Sequence, residues 1–216
     1  SIVGRMGMSE EYIAKTHGAN LGWWNHTIKD GMDKVDQENL KKDLDVAAAI
    51  ICDYVNLPLL PYSFQRTCRD AQSNIREIMA HADPAIEMKS ILQNFEALEK
   101  RMAEMDRLRV DMEGLPVSNL RVRTWNQLAL KLSRCLTWVL YTYTDRFEQD
   151  SYAYTPAAPP IPMLATAVDL AQLDHNSLAY HLCFTKALRD RNRVSQAVRD
   201  ALEFAQLYLD RIGRPN

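Results

Sequence analysis

MKSILQNFEALEKRMAEM, residues 88–105, carries the most regular apolar pattern in the chain. Its apolar side chains recur at intervals of three and four residues, which predicts an α-helix with one apolar face. We call this face the seam; it consists of Met88, Ile91, Phe95, Leu98, Met102 and Met105. It lapses at Arg109 and resumes at Met112. A heptad seam requires a facing helix, so it predicts either an internal hairpin or a contact with a second subunit.

The segments on either side of the seam also favour helices. Asp36 is a good N-cap for a helix that Pro58 must end, and Asp83-Pro84 resembles a second helix start. Further helices are expected near 64–82, 118–143, 163–173, 175–190 and 193–212, with Asn192 capping the last. This pattern predicts a mainly α protein, a multi-helix bundle with long antiparallel helices. We place a domain boundary between residues 60 and 61.

Composition and charge limit the function classes. The chain has 216 residues, is 47% hydrophobic, and carries a net charge of −2 with acidic and basic residues interleaved. This balance gives no basic surface for nucleic acid, and no apolar run is long enough to span a membrane. The four cysteines are far apart in helical patterns, which favours packed, reduced thiols. We therefore expect a cytoplasmic protein that binds neither nucleic acid nor membrane.

NLGWWNHTIKD, residues 20–30, places a histidine beside two tryptophans near the start of the chain. A single histidine cannot form a metal site, because zinc takes three or four protein ligands in its usual sites. From the residues alone, His26 is either one ligand of a larger site or a histidine packed in an aromatic corner with Trp23 and Trp24.

WWNHTIKDGMDKVDQENLKKDLDVAAAIICDYVNLPLLPYSF, residues 23–64, resembles the end of the catalytic domain in the co-catalytic di-zinc aminopeptidase and glutamate carboxypeptidase family, which includes the transferrin receptors. The resemblance implies that His26 is the last zinc ligand, with Thr27 and Asp30 at the positions that follow it. Trp23 and Trp24 would form the wall that fixes the imidazole. Gly31 and Met32 depart from the family pattern.

The resemblance implies a remnant of an α/β metallopeptidase domain over residues 1–60. Residues 61–216 would form a helical domain similar to the dimerisation domain of the receptor branch, with Ile91, Phe95, Leu98, Met102 and Met105 as the candidate interface. The family's other zinc ligands and its catalytic glutamate are not found in this sequence. We therefore expect the C-terminal segment of a zinc-dependent peptidase or amide hydrolase, which binds zinc and a peptide or amide substrate only in the full-length enzyme.

The partner expected from the resemblance is a second copy of the chain, or a chain that carries the rest of the peptidase domain. Two alternatives remain open at this point. The chain could be a non-catalytic helical interaction or dimerisation module, or an unrelated all-α protein in which the aromatic corner has only a packing role.

Overall fold

The computed structural model describes residues 27–142 and 160–212. The chain divides into two compact units, with the main division between Leu57 and Pro58. The described part of the first unit is residues 27–57, and that of the second is residues 58–142 and 160–212.

The first unit contains a 3₁₀ turn, Met32–Lys34, and helix α1, Gln37–Asn56. The side chain of Asp36 caps α1 by accepting a hydrogen bond from the backbone N–H of Asn39 at 2.9 Å, as the sequence predicted. Pro58 follows the C-cap residue Leu57, which fits the predicted end of the helix. Residues 27–57 contain no strand, so the described part of this unit does not show the expected α/β remnant.

The described part of the second unit is a bundle of five helices. They are α2, Phe64–His81; α3, Lys89–Val110; α4, Leu120–Tyr141; α5, Pro162–Leu170; and α6, Leu178–Ile212. No strand occurs among the described residues of this unit either. The predictions of a mainly α chain and of a helical bundle are therefore confirmed.

Side-chain contacts show that the paired long helices are antiparallel. Between α2 and α3, Arg69 contacts Glu99, whereas Arg76, about two turns further along α2, contacts the earlier residue Glu96. Between α4 and α6, the Arg121 side chain donates a hydrogen bond to the carbonyl oxygen of Ile212, at the opposite end of the partner helix. The predicted antiparallel arrangement is therefore observed for these pairs.

The seam lies in the core of the second unit. Helix α3 packs against both α2 and α6, and the side chains of Ile91, Phe95, Leu98, Met102 and Met105 are at most 1% exposed. Helices α2 and α6, which cover the seam, belong to the same chain and already enclose its apolar side chains. Within the single chain the seam is therefore an internal contact, and the interface role of its five candidate residues stays a prediction.

Helix α6 is the central element, since it contacts α3, α4 and α5. It is one helix of 35 residues, about 52 Å long at 1.5 Å per residue. The predicted break at Asn192 is wrong. Ala187, Val194 and Val198 continue one buried stripe through that region, so packing keeps the chain helical where the local signal favours a cap.

The predicted helix start at Asp83-Pro84 is also wrong. Residues 83–88 form turns, and α3 begins at Lys89. The Asp83 carboxylate caps a turn instead of a helix, because its Oδ1 accepts a hydrogen bond from the N–H of Ala85 at 2.8 Å.

Candidate functional site

The predicted metal ligand lies outside the described residues. His26, Trp23 and Trp24 precede residue 27, where the description begins. Thr27 and Asp30 are described, and both are exposed. They share one turn, in which the N–H of Asp30 donates to the carbonyl oxygen of Thr27 at 3.0 Å.

The Thr27 hydroxyl helps to hold this turn. Its Oγ1 accepts a hydrogen bond from the N–H of Lys29 at 3.1 Å, a local pattern that is common for threonine in turns. The next residues form the 3₁₀ turn, in which Lys34 pairs with Asp33. The chain therefore passes from residue 27 to the start of α1 through two successive tight turns.

The described residues do not supply a zinc site by themselves. Within residues 27–142 and 160–212, no group of three or more histidine, cysteine, aspartate or glutamate side chains is placed to hold a metal ion. Since zinc requires at least three protein ligands, a site at His26 needs further ligands. Among the described histidines, His81 and His181 are exposed, and His175 lies beside a single carboxylate.

A buried carboxylate in the second unit was missed by the sequence analysis. Asp83 is 2% exposed and accepts a hydrogen bond at 3.2 Å from the hydroxyl of Tyr180, which lies in the first turn of α6. The ring of His175 lies on that of Tyr180 at a centroid distance of 4.4 Å, and its Nε2 is 3.8 Å from Asp83 Oδ2. Burial, and secondarily Asp83, raise the pKa of Tyr180. This cluster joins the α2–α3 connection to α6.

A second polar cluster joins α5 to α6. The Asp190 side chain, 3% exposed, accepts hydrogen bonds from Lys186 Nζ at 2.6 Å and from Thr166 Oγ1 at 3.1 Å. Arg193 also approaches the carboxylate, at 3.5 Å. The spacing of Lys186 and Asp190, four residues apart, was the only signal in the sequence. Because each charged group is paired, the cluster fixes the short helix α5 rather than presenting a reactive group.

An open cavity of about 380 Å³ lies between α2 and α3 and includes Glu96 and Glu99 in its lining. Hydrogen bonds from Arg69 and Gln72 lower the pKa of Glu99, so this carboxylate is held ionised and cannot act as a general acid near neutral pH. Burial, and then the charge of Glu99, raise the pKa of Cys68 to about 12, which keeps this thiol protonated and unreactive. Glu99 therefore pairs with Arg69 and Gln72 at the contact between α2 and α3.

No helix in the described part of the chain has both the length and the apolar character needed to cross a membrane. Comparison with known proteins adds no family assignment: no protein-family model, no curated protein and no solved structure matches this chain.

Proposed function

We propose that this chain is the C-terminal segment of a zinc-dependent peptidase or amide hydrolase, in which His26 is one metal ligand. The observation that carries the proposal is the pattern of residues 23–64, together with the local structure that follows His26. The resemblance implies a capped helix shortly after the ligand and a Leu-Pro exit. The turn at Thr27, the Asp36 cap and the end of α1 at Asn56 support it.

In this proposal the chain contributes a ligand and a scaffold but no complete reaction centre. A neutral imidazole at His26 would bind zinc, which polarises a carbonyl group and lowers the pKa of bound water when the full set of ligands is present. The remaining ligands and the general base would come from polypeptide outside this sequence. The second unit would serve as a helical packing or dimerisation domain, and the chain alone would be inactive. Four free cysteines agree with a cytoplasmic location.

A second candidate, a non-catalytic helical interaction module, is favoured by a different observation. The second unit closes its own core around Trp125, Phe95 and α6, and its described residues contain no group that could hold a metal ion. A bundle with such a core can act as an interaction domain whether or not a catalytic domain accompanies it.

The test is a His26→Ala variant of the full-length protein that contains this chain. We expect loss of about half of the bound zinc, measured by elemental analysis, and loss of hydrolysis of an aminoacyl or peptidyl p-nitroanilide. His81→Ala is the matched control, because His81 is exposed at the end of α2 and outside the proposed site. Zinc and activity that remain unchanged in His26→Ala would contradict the metal-ligand role. A wild-type protein without zinc would favour the interaction module.

A further inference from the structure

Two buried hydrogen-bond donors lie close together where α3 ends and α4 begins. The guanidinium carbon of Arg109, in the last turn of α3, is 5.9 Å from the ring centroid of Trp125, in the second turn of α4. The Trp125 side chain is 0% exposed. Among the described residues, no group accepts a hydrogen bond from the buried Nε1–H of Trp125 or from the buried Nε–H of Arg109. Both groups can only donate, so each needs an acceptor from elsewhere.

Buried donors of this kind normally have a partner. In folded proteins most buried polar atoms are hydrogen-bonded to another protein group or to ordered water. Water satisfies both N–H groups in the unfolded chain, so a dry site would lose two hydrogen bonds on folding. A bound acceptor restores them. The two neighbouring donors therefore indicate a bound molecule rather than dry packing.

The arrangement of the helices leaves α3 and α4 weakly joined to each other. Both helices pack extensively on α6, but they make little direct contact with one another. The residues that connect them, 111–119, form turns. A molecule bound between Arg109 and Trp125 would therefore link two helices that direct packing does not link.

The charge and size of the surroundings define the acceptor. Burial raises the pKa of Asp106, one turn before Arg109 on α3, and the charge of Arg109 acts against this effect, so the two groups interact. Arg109 therefore already has a carboxyl group nearby and does not require an anion. The acceptor must also be small, because the Trp125 side chain is fully enclosed. Water is neutral, can accept hydrogen bonds from both donors, and occupies only about 30 Å³.

We propose that one buried water molecule accepts hydrogen bonds from Trp125 Nε1 and Arg109 Nε and thereby joins α3 to α4. Buried waters usually make about three hydrogen bonds to polar groups and are costly to remove. This water is therefore a fixed part of the core, and it exchanges with solvent only when the ends of these two helices separate.

The test is water-selective NMR on this chain with isotope-labelled tryptophan. The indole signal of Trp125 is assigned through bonds, so the measurement needs no substitution. We expect its indole proton to show a cross-peak to water with opposite signs in NOE and ROE spectra, because a bound water tumbles with the protein. No cross-peak, or equal signs in both spectra, which report proton exchange, would overturn the proposal. So would a crystal structure in which an anion or a protein group, including one from residues 1–26, 143–159 or 213–216, accepts the indole hydrogen bond.

Arg109→Met tests whether the water bridges both donors. The substitution removes the Nε–H and keeps a long, flexible side chain. We expect the water cross-peak of Trp125 to weaken at least about fivefold, because a buried water needs two or more polar partners. Arg107→Met is the matched control, since Arg107 is exposed two residues earlier on the same helix, and it should leave the cross-peak unchanged. Arg109→Lys, which keeps the charge but lacks the Nε–H, serves as the second variant if Arg109→Met does not fold. An undiminished cross-peak in the folded Arg109 variant, or an equal loss in Arg107→Met, would overturn the bridge.

Discussion

Replacement of Phe95 by alanine tests whether the seam is an internal core or a subunit interface. The Phe95 side chain is 0% exposed in the single chain and lies in the middle of α3, between α2 and α6. Its removal leaves a cavity in a closely packed region, in addition to the loss of its own transfer free energy. Replacements of this kind lower the free energy of unfolding by about 3–5 kcal/mol.

A second replacement checks the size of this effect. Met102, also 0% exposed, lies seven residues from Phe95, or about 10 Å along the helix. Met102→Ala should destabilise the chain by about 2–5 kcal/mol, and effects at this distance add to within about 0.5 kcal/mol when the sites share no partner. In a domain of this size each kcal/mol lowers Tm by about 2–4 °C, so the double variant should lose well over 10 °C.

The assay is urea unfolding followed by circular dichroism, with molecular mass measured by light scattering on the same samples. We expect a lower unfolding midpoint for each variant and no change in the mass of the protein that remains folded. Leu130→Ala is the control, because Leu130 is 47% exposed on α4 and its replacement should change stability by less than about 0.5 kcal/mol. A halved mass with an unchanged midpoint would refute the reasoning, since it would show that the seam joins two subunits.

Three further outcomes follow from the described residues. Tyr180→Phe removes a hydrogen bond to the buried carboxylate of Asp83 and should lower the free energy of unfolding by about 1–3 kcal/mol in urea; a loss below about 0.5 kcal/mol would contradict the buried contact. Ellman's reagent should label the exposed Cys52 in the native protein and leave Cys68 unlabelled until the chain unfolds, and equal labelling rates would exclude the buried thiol. The pKa of Glu99 is lower in the folded protein than its ordinary value of 4.5, so the ionised carboxylate stabilises the fold. This contribution is complete above pH 4.5 and is lost as the pH falls through the lower pKa of the folded state. Glu99→Gln should therefore weaken the pH dependence of the free energy of unfolding below pH 4.5.

Local signals in the sequence were sufficient for most of the helices. The Asp36 cap formed as predicted, because an aspartate side chain can satisfy a free backbone N–H at a helix start without help from distant residues. The seam also formed a helix, since its period reflects which side faces the core. The period could not show that the core belongs to the same chain, because apolar spacing is the same in both cases.

The misplaced boundaries have a common physical cause. At Asp83 and Asn192 the local preference for a cap was real, but tertiary contacts decided the outcome. The hydrogen bond between Asp83 and Tyr180 joins residues 97 positions apart, so no short pattern contains it. For the same reason the cluster around Asp190 could not be predicted beyond its pairing with Lys186. The candidate metal site at His26 needs ligands from outside the described residues. Neither a local sequence pattern nor the described fold therefore identifies its full set of ligands.

The central position of α6 has a consequence for synthesis of the protein on the ribosome. The helices α2 to α5 are made first, but α3, α4 and α5 all pack on a helix that follows them in the chain. The apolar faces of these helices therefore remain without their main partner until α6 has left the exit tunnel. During that interval the nascent chain exposes the same surface that later forms the core, which makes it a substrate for chaperones that bind apolar segments.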